Sequence, residues 1–169
     1  MQPAYLEPDG PLVFPDPRSA DADGMVAVGG DLSPERLLLA YSSGIFPWYD
    51  EDVPPLWWSP DPRAVLPHDQ LRVTRRLHRR LRRGGFDLSW NRAFRDVMQR
   101  CSRGRSDGTW IVPEMQAAYG SLHDLGHAHS LEVWEDGELV GGTLEDTSDT
   151  TWKADFAVTK PFTKKPDLK

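Results

Sequence analysis

The chain has 169 residues, enough to bury a hydrophobic core, and this length predicts one domain or two small ones. Hydrophobic residues make up 38% and charged residues 27% of it, and no apolar run approaches the roughly 18 residues of a membrane span. The N-terminus lacks the basic and apolar regions of a signal peptide, and the single cysteine, Cys101, allows no internal disulfide, so we expect a cytoplasmic protein with no membrane partner.

The formal net charge of −6 conceals a strong asymmetry along the sequence. Residues 1–69 hold twelve acidic residues and three arginines, whereas residues 70–83 hold seven arginines and no acidic residue. The concentration of positive charge in one segment of an acidic protein indicates that this segment has a local function.

The first 30 residues form a proline-rich arm that leads into a short extended run, and a helix is predicted next. Ser33 suits its N-cap, Pro34 suits its first position, and Gly44 lies just past its end. The glycines before this helix are followed by no Gly-Lys-Ser/Thr, so a phosphate-binding loop is not expected. We interpret the helix as a structural element that fixes the direction in which the following segment leaves it.

That following segment, residues 44–67, reads GIFPWYDEDVPPLWWSPDPRAVLP and holds three of the seven tryptophans and six prolines. Prolines fix φ and lower the entropy of the unfolded chain, so the aromatic side chains can be held ready for a ligand. We expect Trp57 and Trp58 to pack in the core, where indoles contribute most to stability. Trp48 is the better candidate for a surface on which a ligand ring stacks.

Residues 71–83, LRVTRRLHRRLRR, predict an amphipathic helix with Val73, Leu77 and Leu81 on one side. A run of charge is ordinarily a solvated helix face. Here the arginines have no acidic neighbour three or four residues away, so their mutual repulsion is not relieved within the helix. We therefore favour contact with a polyanion.

Periodicity then predicts a strand over residues 86–90, helices over 91–101 and from Pro113 to Gly126, and a β-hairpin formed by HSLEVW and ELVGG. Cys101 falls on the apolar side of the first of these helices, so we expect it to pack in the core and not to act as a nucleophile. Three arginines around the following loop would form a second basic patch: Arg100, Arg103 and Arg105.

Three histidines close together, His123, His127 and His129, suggest a metal site at first sight. Gly126 should end the helix between the first two, which removes the spacing that lets two imidazoles share one ion. We therefore expect no metal. The sequence also contains no dinucleotide fingerprint, nucleophile elbow or paired-cysteine zinc pattern, and we expect no cofactor.

Strings as specific as VGGDLSPERLLLAY, GIFPW and LWWSPDPRAVL seldom recur by chance. With them, the chain resembles the leucyl/phenylalanyl-tRNA–protein transferases from about Phe14 to Gly142. The resemblance implies an α+β fold, with a family-type N-terminal domain over residues 1–62 and a truncated acetyltransferase-like α/β domain over residues 63–142. We expect residues 143–169 to be an atypical tail.

Enzymes of this family move leucine, phenylalanine and sometimes methionine from an aminoacyl-tRNA to the N-terminal arginine or lysine of a protein, which marks that protein for degradation. The resemblance therefore implies two partners for a monomeric enzyme, an aminoacyl-tRNA and a protein with N-terminal Arg or Lys. It implies no cofactor, because an aminoacyl ester is already activated toward attack by an amine.

The resemblance also assigns binding residues. Trp48 and Trp110 match family tryptophans that shape the pocket for the aminoacyl-adenosine end of the tRNA. The basic helix resembles the family's tRNA-binding cluster, with Arg75, Arg79, Arg82 and Arg83 as its binding residues. A core indole beside Ile111 is the other interpretation of Trp110, and a solvated role is the other interpretation of each single arginine.

After Gly142 the sequence departs from the family. The Gly-Glu-Ser-Met-Phe motif and the later Asp and Gln that orient the reacting groups are not found, so we assign no catalytic residue. All five lysines lie in the last 17 residues, which marks the same junction. Two alternatives stay open: a non-catalytic tRNA-binding or RNA-binding fragment, and a relative that uses aminoacyl-tRNA to build cell-wall bridges.

Overall fold

Two sheets and four α-helices make up the part of the chain that the computed structural model describes, which is residues 2–64, 67–103 and 109–146. The strands are β1 (Ala4–Leu6), β2 (Met25–Gly29), β3 (Phe46–Pro47), β4 (Leu56–Trp58), β5 (Asp87–Trp90), β6 (Ala128–Glu135) and β7 (Glu138–Asp146). The helices are α1 (Pro34–Ser42), α2 (Arg75–Arg83), α3 (Phe94–Ser102) and α4 (Pro113–Asp124). This mixture of helices and largely antiparallel sheets confirms the predicted α+β class.

The first sheet has the strand order β1-β2-β4-β3, with β1 parallel to β2 and the other pairs antiparallel. Trp57 on β4 is fully buried, and its indole N–H donates to the carbonyl oxygen of Gly29 at 2.8 Å. Phe14 packs against Trp57 edge to face, with ring centroids 4.8 Å apart. The prediction that Trp57 packs in the core is confirmed, whereas Trp58 is only half-buried.

Helix α1 begins as predicted, because the Ser33 hydroxyl accepts the backbone N–H of Arg36 at 3.4 Å and Pro34 occupies the first turn. The side chain of Arg36 is buried, which the sequence did not predict. Its Nε donates to Asp31 at 3.0 Å, and its terminal nitrogens donate to two backbone carbonyls of the N-terminal arm. These bonds fasten the arm to α1.

The second sheet has the strand order β5-β6-β7, entirely antiparallel, with α3 and α4 packed against it. The predicted hairpin is confirmed: β6 and β7 are joined through Asp136 and Gly137, whose positive φ values of 53° and 77° suit a two-residue type I′ turn. Cys101 is buried on the inner face of α3, so its predicted core role is also confirmed.

Strand β7 approaches α3 closely at Gly142. A Cβ atom at this position would lie 2.9 Å from Cγ2 of Val97 and 3.1 Å from the carbonyl oxygen of Leu131. Real Cβ atoms essentially never lie within 3.0 Å of such atoms, so any larger residue at Gly142 would require Val97 or the neighbouring backbone to shift.

Helix α4 joins the two halves, since it packs against α1 on one side and against α3 and β6 on the other. The hydroxyl groups of Tyr41 on α1 and Tyr119 on α4 hydrogen bond to each other, and both side chains are buried. Gly126 follows the helix with a φ of 84°, as expected for a residue that ends it.

The first sheet ends at Trp58 and the second begins at Asp87, on either side of the domain boundary expected near residue 62. The expected boundary at Gly142 falls inside β7. Most of the expected tail, residues 147–169, and Arg105 of the expected second basic patch lie outside the described residues. No helix of the described ranges is both long enough and apolar enough to cross a membrane.

Candidate functional site

Trp48 presents its ring to solvent from a fixed backbone. The side chain is 56% exposed, which is unusual for an indole placed between two buried residues, Pro47 and Tyr49. Its backbone N–H donates to the carbonyl of Leu56 at 2.9 Å, and its own carbonyl accepts the indole N–H of Trp58 at 2.7 Å. The chain is therefore held on both sides of a ring that remains available to a ligand.

Trp110 lies against Trp48, although the two are far apart in sequence. Their ring centroids are 6.2 Å apart and their planes are tilted by 41°. Trp110 is half-buried and also packs against the core. We call Trp48 and Trp110 the indole pair.

A hydrogen bond lies beside the indole pair. The hydroxyl of Tyr49, which is buried, donates to Oε2 of Glu114 in the first turn of α4 at 3.1 Å. Burial, and then the negative charge of Glu114, raise the pKa of Tyr49 above its ordinary value, so the phenol keeps its proton at neutral pH. No local pattern in the sequence indicates this contact, because it joins residues 65 positions apart.

Arg63 is a second residue of this region that sequence reasoning missed. Its guanidinium lies over the ring of Phe46, 5.0 Å from the centroid, and donates to the carbonyl oxygen of Gly44 at 3.3 Å. It thus braces the turn between α1 and β3, which leads directly to Trp48.

Helix α2 presents the predicted arginines to solvent. It starts after Thr74, whose hydroxyl accepts the N–H of Leu77 at 3.2 Å, and it ends at Gly84. Four exposed arginines share one side of the helix, and we call them the arginine face: Arg75, Arg79, Arg82 and Arg83. Together with Val73 and His78 they line an open groove of about 510 Å³.

Of the predicted apolar residues, Leu77 and Leu81 lie on the opposite side of α2, whereas Val73 precedes the helix and lines the groove. Neither leucine is buried. Leu77 is 48% exposed and Leu81 is 58% exposed. Arg80 ties the helix to the second sheet, because it donates to Glu135 at 2.6 Å and lies 3.8 Å from the ring centroid of Phe86. Helix α2 is therefore a lightly attached element of the described structure.

The histidines considered as metal ligands have other contacts. His123 stacks on Phe94 with centroids 4.2 Å apart, and its Nδ1 donates to the carbonyl of Ala128 at 2.8 Å. His129 stacks on Trp90. Within the described ranges, no three His, Cys, Asp or Glu side chains are grouped so that they could hold a metal ion.

Glu132 on β6 is a fully buried carboxylate that the sequence did not single out. It accepts hydrogen bonds from the hydroxyls of Ser130 and Ser89, each at 2.5 Å, and from the backbone N–H of Ala93 at 3.1 Å. Burial alone would raise the pKa of Glu132, but these bonds outweigh burial and hold it below its ordinary value. The carboxylate thus accepts a backbone N–H at the start of α3, where the N-cap residue Ala93 has no polar side chain with which to cap the helix.

Comparison with known proteins gives two family matches in this chain. A family model described as leucyl/phenylalanyl-tRNA protein transferase matches residues 65–152, and one described as the N-terminal domain of that transferase matches residues 30–61. The first match passes Gly142, where the sequence resemblance was expected to end, and continues for ten residues.

Curated relatives named leucyl/phenylalanyl-tRNA–protein transferase agree with these matches. The protein of Nitratidesulfovibrio vulgaris (strain DP4) is 57% identical over 141 residues, which are 82% of this chain and 60% of that protein. That of Anaeromyxobacter sp. (strain Fw109-5) is 60% identical over 132 residues, 76% of this chain and 56% of that protein. That of Alcanivorax borkumensis is 55% identical over 142 residues, 81% of this chain and 58% of that protein. The chain thus spans 56–60% of the length of these relatives.

Proposed function

The chain belongs to the leucyl/phenylalanyl-tRNA–protein transferase family, and we propose that it transfers leucine or phenylalanine, and sometimes methionine, from aminoacyl-tRNA to the N-terminal arginine or lysine of a protein. We further propose that it does so as a cytoplasmic monomer without cofactor. The proposed domains are residues 1–62, residues 63–142 and a tail over residues 143–169.

The proposed reaction requires the protein to align the acceptor amine with the aminoacyl ester more than to activate either group. The neutral α-amine of the acceptor attacks the carbonyl carbon of the aminoacyl ester, an amide bond forms, and the ester C–O bond breaks. The terminal ribose hydroxyl leaves with the proton that the amine gives up. An α-amino pKa of about 7.7 to 8 leaves a useful fraction of the amine neutral at physiological pH, so the protein has to position the amine against the ester.

The observation that carries the proposal is the contact between Trp48 and Trp110. Two indoles from distant parts of the chain meet at one surface, and one of them keeps more than half of its area exposed. A nucleobase has an aromatic face that can stack on such a ring, a contact worth about 1 to 3 kcal/mol. We assign the indole pair to the aminoacyl-adenosine end of the tRNA.

The arginine face is the second part of the proposed site. Its four guanidinium groups share one groove, and no acidic residue of α2 offsets them. Phosphate oxygens of RNA accept hydrogen bonds from guanidinium groups and remove the repulsion between them. We assign this face to the tRNA backbone, where it would add affinity without reading sequence.

Two measurements on the same preparation test the proposal. Filter binding with leucyl-tRNA, with uncharged tRNA as the control, reports recognition of the donor. Transfer of labelled leucine to a peptide that starts with Arg, with an otherwise identical peptide that starts with Glu as the control, reports catalysis. We expect preferential binding of the charged tRNA and transfer to the Arg peptide alone.

The other outcomes identify the alternatives. Binding without transfer would contradict the proposed reaction and identify a non-catalytic tRNA-binding protein. Transfer to a cell-wall precursor and not to the Arg peptide would identify the cell-wall type of acyl transfer. The absence of both binding and transfer would refute both parts of the assignment.

A further inference from the structure

The segment after β3 and the beginning of α4 touch each other twice. The rings of Trp48 and Trp110 form one contact, with centroids 6.2 Å apart. The hydroxyl of Tyr49 and the carboxylate of Glu114 form the other, at 3.1 Å. Tyr49 directly follows one indole, and Glu114 lies four residues after the other, so the hydrogen bond runs beside the ring contact.

The two hydrogen bonds of the Trp48 backbone stay within the first sheet, since their partners are Leu56 and Trp58 on β4. They fix Trp48 relative to that sheet, but they do not fix its distance from Trp110, which lies three residues before the start of α4. The bond from Tyr49 to Glu114 does reach α4. It is therefore placed to set the gap between the two rings.

The surroundings of both Tyr49 and Glu114 favour a stable hydrogen bond between them. Tyr49 is only 3% exposed, and a buried phenol needs an acceptor. Glu114 is exposed and lies in the first turn of α4, where the helix dipole favours a negatively charged side chain.

We propose that Tyr49 and Glu114 are positioning residues, whose hydrogen bond holds the indole pair at the spacing that the terminal adenosine requires. The assignment of the ligand rests on the proposed function. Neither residue has to touch the substrate, because both act through the placement of Trp48 against Trp110.

Three variants of the full chain distinguish the effect of the hydrogen bond between Tyr49 and Glu114 from the effect of the charge of Glu114. Tyr49→Phe removes the donor and keeps the ring, Glu114→Ala removes the acceptor, and Glu114→Gln removes the charge but keeps an oxygen that can accept the same bond. Affinity is measured with a non-hydrolysable phenylalanyl-adenosine amide. We expect about a tenfold loss for Tyr49→Phe and Glu114→Ala, and a change within about twofold for Glu114→Gln, since a lost hydrogen bond of this kind corresponds to roughly that factor.

A second readout does not depend on the ligand. Two indoles this close couple their transitions and give a paired band in the circular dichroism spectrum, which a Trp48→Phe variant identifies by its loss. We expect this band to weaken in Tyr49→Phe and to persist in Glu114→Gln. Ser121→Ala is the matched control, because it removes a hydroxyl whose hydrogen bond stays within α4, to the carbonyl of Ala117, and should leave both readouts unchanged.

An unchanged band and an unchanged affinity in Tyr49→Phe would overturn the proposal. A loss in Glu114→Gln as large as that in Glu114→Ala would overturn it too, since Glu114 would then act through its charge. If the wild-type chain fails to bind the adenosine amide, the proposed function loses its donor site, and the circular dichroism band still decides whether the bond sets the ring spacing.

Discussion

At the scale of single residues, Trp48 shows how a large apolar side chain can stay in solvent without disturbing the fold. Two backbone hydrogen bonds hold its position, and the neighbouring Pro47 and Tyr49 are buried beneath it. Its ring therefore adds little to the core, in contrast with that of Trp57, which is fully enclosed. A residue of this kind can be removed to test binding without unfolding the protein.

Replacement of Trp48 by Ala should weaken binding of the adenosine amide by roughly 5-fold to 150-fold, the equivalent of the 1 to 3 kcal/mol that one stacked base contributes. The matched control is Trp90→Ala, because Trp90 is also exposed, at 46%, but lies on the second sheet beside His129. Fluorescence titration measures the affinity of each variant. Equal losses in both variants would remove Trp48 from the proposed site.

Glu132 gives a prediction about pH. Because its pKa is held below the ordinary value in the folded protein, the unfolded chain binds the proton more tightly. Its stabilising effect is complete above the ordinary carboxyl pKa of about 4.3 and is lost as the pH falls through the lowered pKa. In Glu132→Gln the free energy of unfolding should drop by about 1 to 3 kcal/mol at neutral pH, and the difference from wild type should shrink in acid.

Urea unfolding at about pH 7 and about pH 3 measures both effects. The control is Glu7→Gln, which changes an exposed carboxylate in the N-terminal arm and should leave the free energy of unfolding nearly unchanged at both values. A deficit in Glu132→Gln that stays constant with pH would show that the charge of Glu132 does not contribute.

At the scale of elements, α2 differs from the other helices of the described structure. Helices α1, α3 and α4 each bury an apolar face, whereas α2 buries none of its residues. Its cap at Thr74 and its tie through Arg80 hold it in place. The sequence predicted a helix over residues 71–83, and the structure begins it four residues later, at Arg75, so that Val73 lies outside it. Periodicity alone could not say whether the apolar side would meet a neighbour.

If the arginine face binds tRNA phosphates, the double variant Arg79→Ala/Arg82→Ala should weaken binding and reduce its dependence on salt. Each lost phosphate contact lowers the slope of log affinity against log salt by about 0.7 to 0.9. A control with the same change of net charge is Arg18→Ala/Arg95→Ala, which removes two exposed arginines from other elements. Filter binding between about 50 and 200 mM salt gives the slopes. Equal slopes in the two double variants would contradict the assignment.

At the scale of the whole molecule, the charges are separated by position in the chain. The N-terminal 69 residues are strongly acidic, whereas α2 carries six arginines and no acid among its nine residues. Helix α2 attracts a polyanion that approaches the protein, whereas the acidic N-terminal residues repel it, and together they orient the encounter. The effect falls off beyond about 8 Å at physiological ionic strength, so it acts in the last stage of approach.

The sequence predicted the local features well and the distant contacts poorly. The cap at Ser33 and the turn that closes the β-hairpin depend on residues next to each other in the chain, and both are found, the turn at Asp136 and Gly137. The bond between Tyr49 and Glu114 and the burial of Arg36 depend on which segments the fold brings together, and no local pattern encodes that. The meeting of Trp48 and Trp110 was expected only because family resemblance assigned both to one pocket.

The close approach at Gly142 has a further consequence for the second half of the molecule. There the hydrogen atom of the glycine faces the side chain of Val97 on α3, and a methyl group in its place would lie 2.9 Å from one Val97 methyl carbon and 3.0 Å from the other. An alanine at this position would therefore collide with Val97 unless that side chain or the strand moved. The contact between β7 and α3 thus depends on the absence of a side chain at position 142.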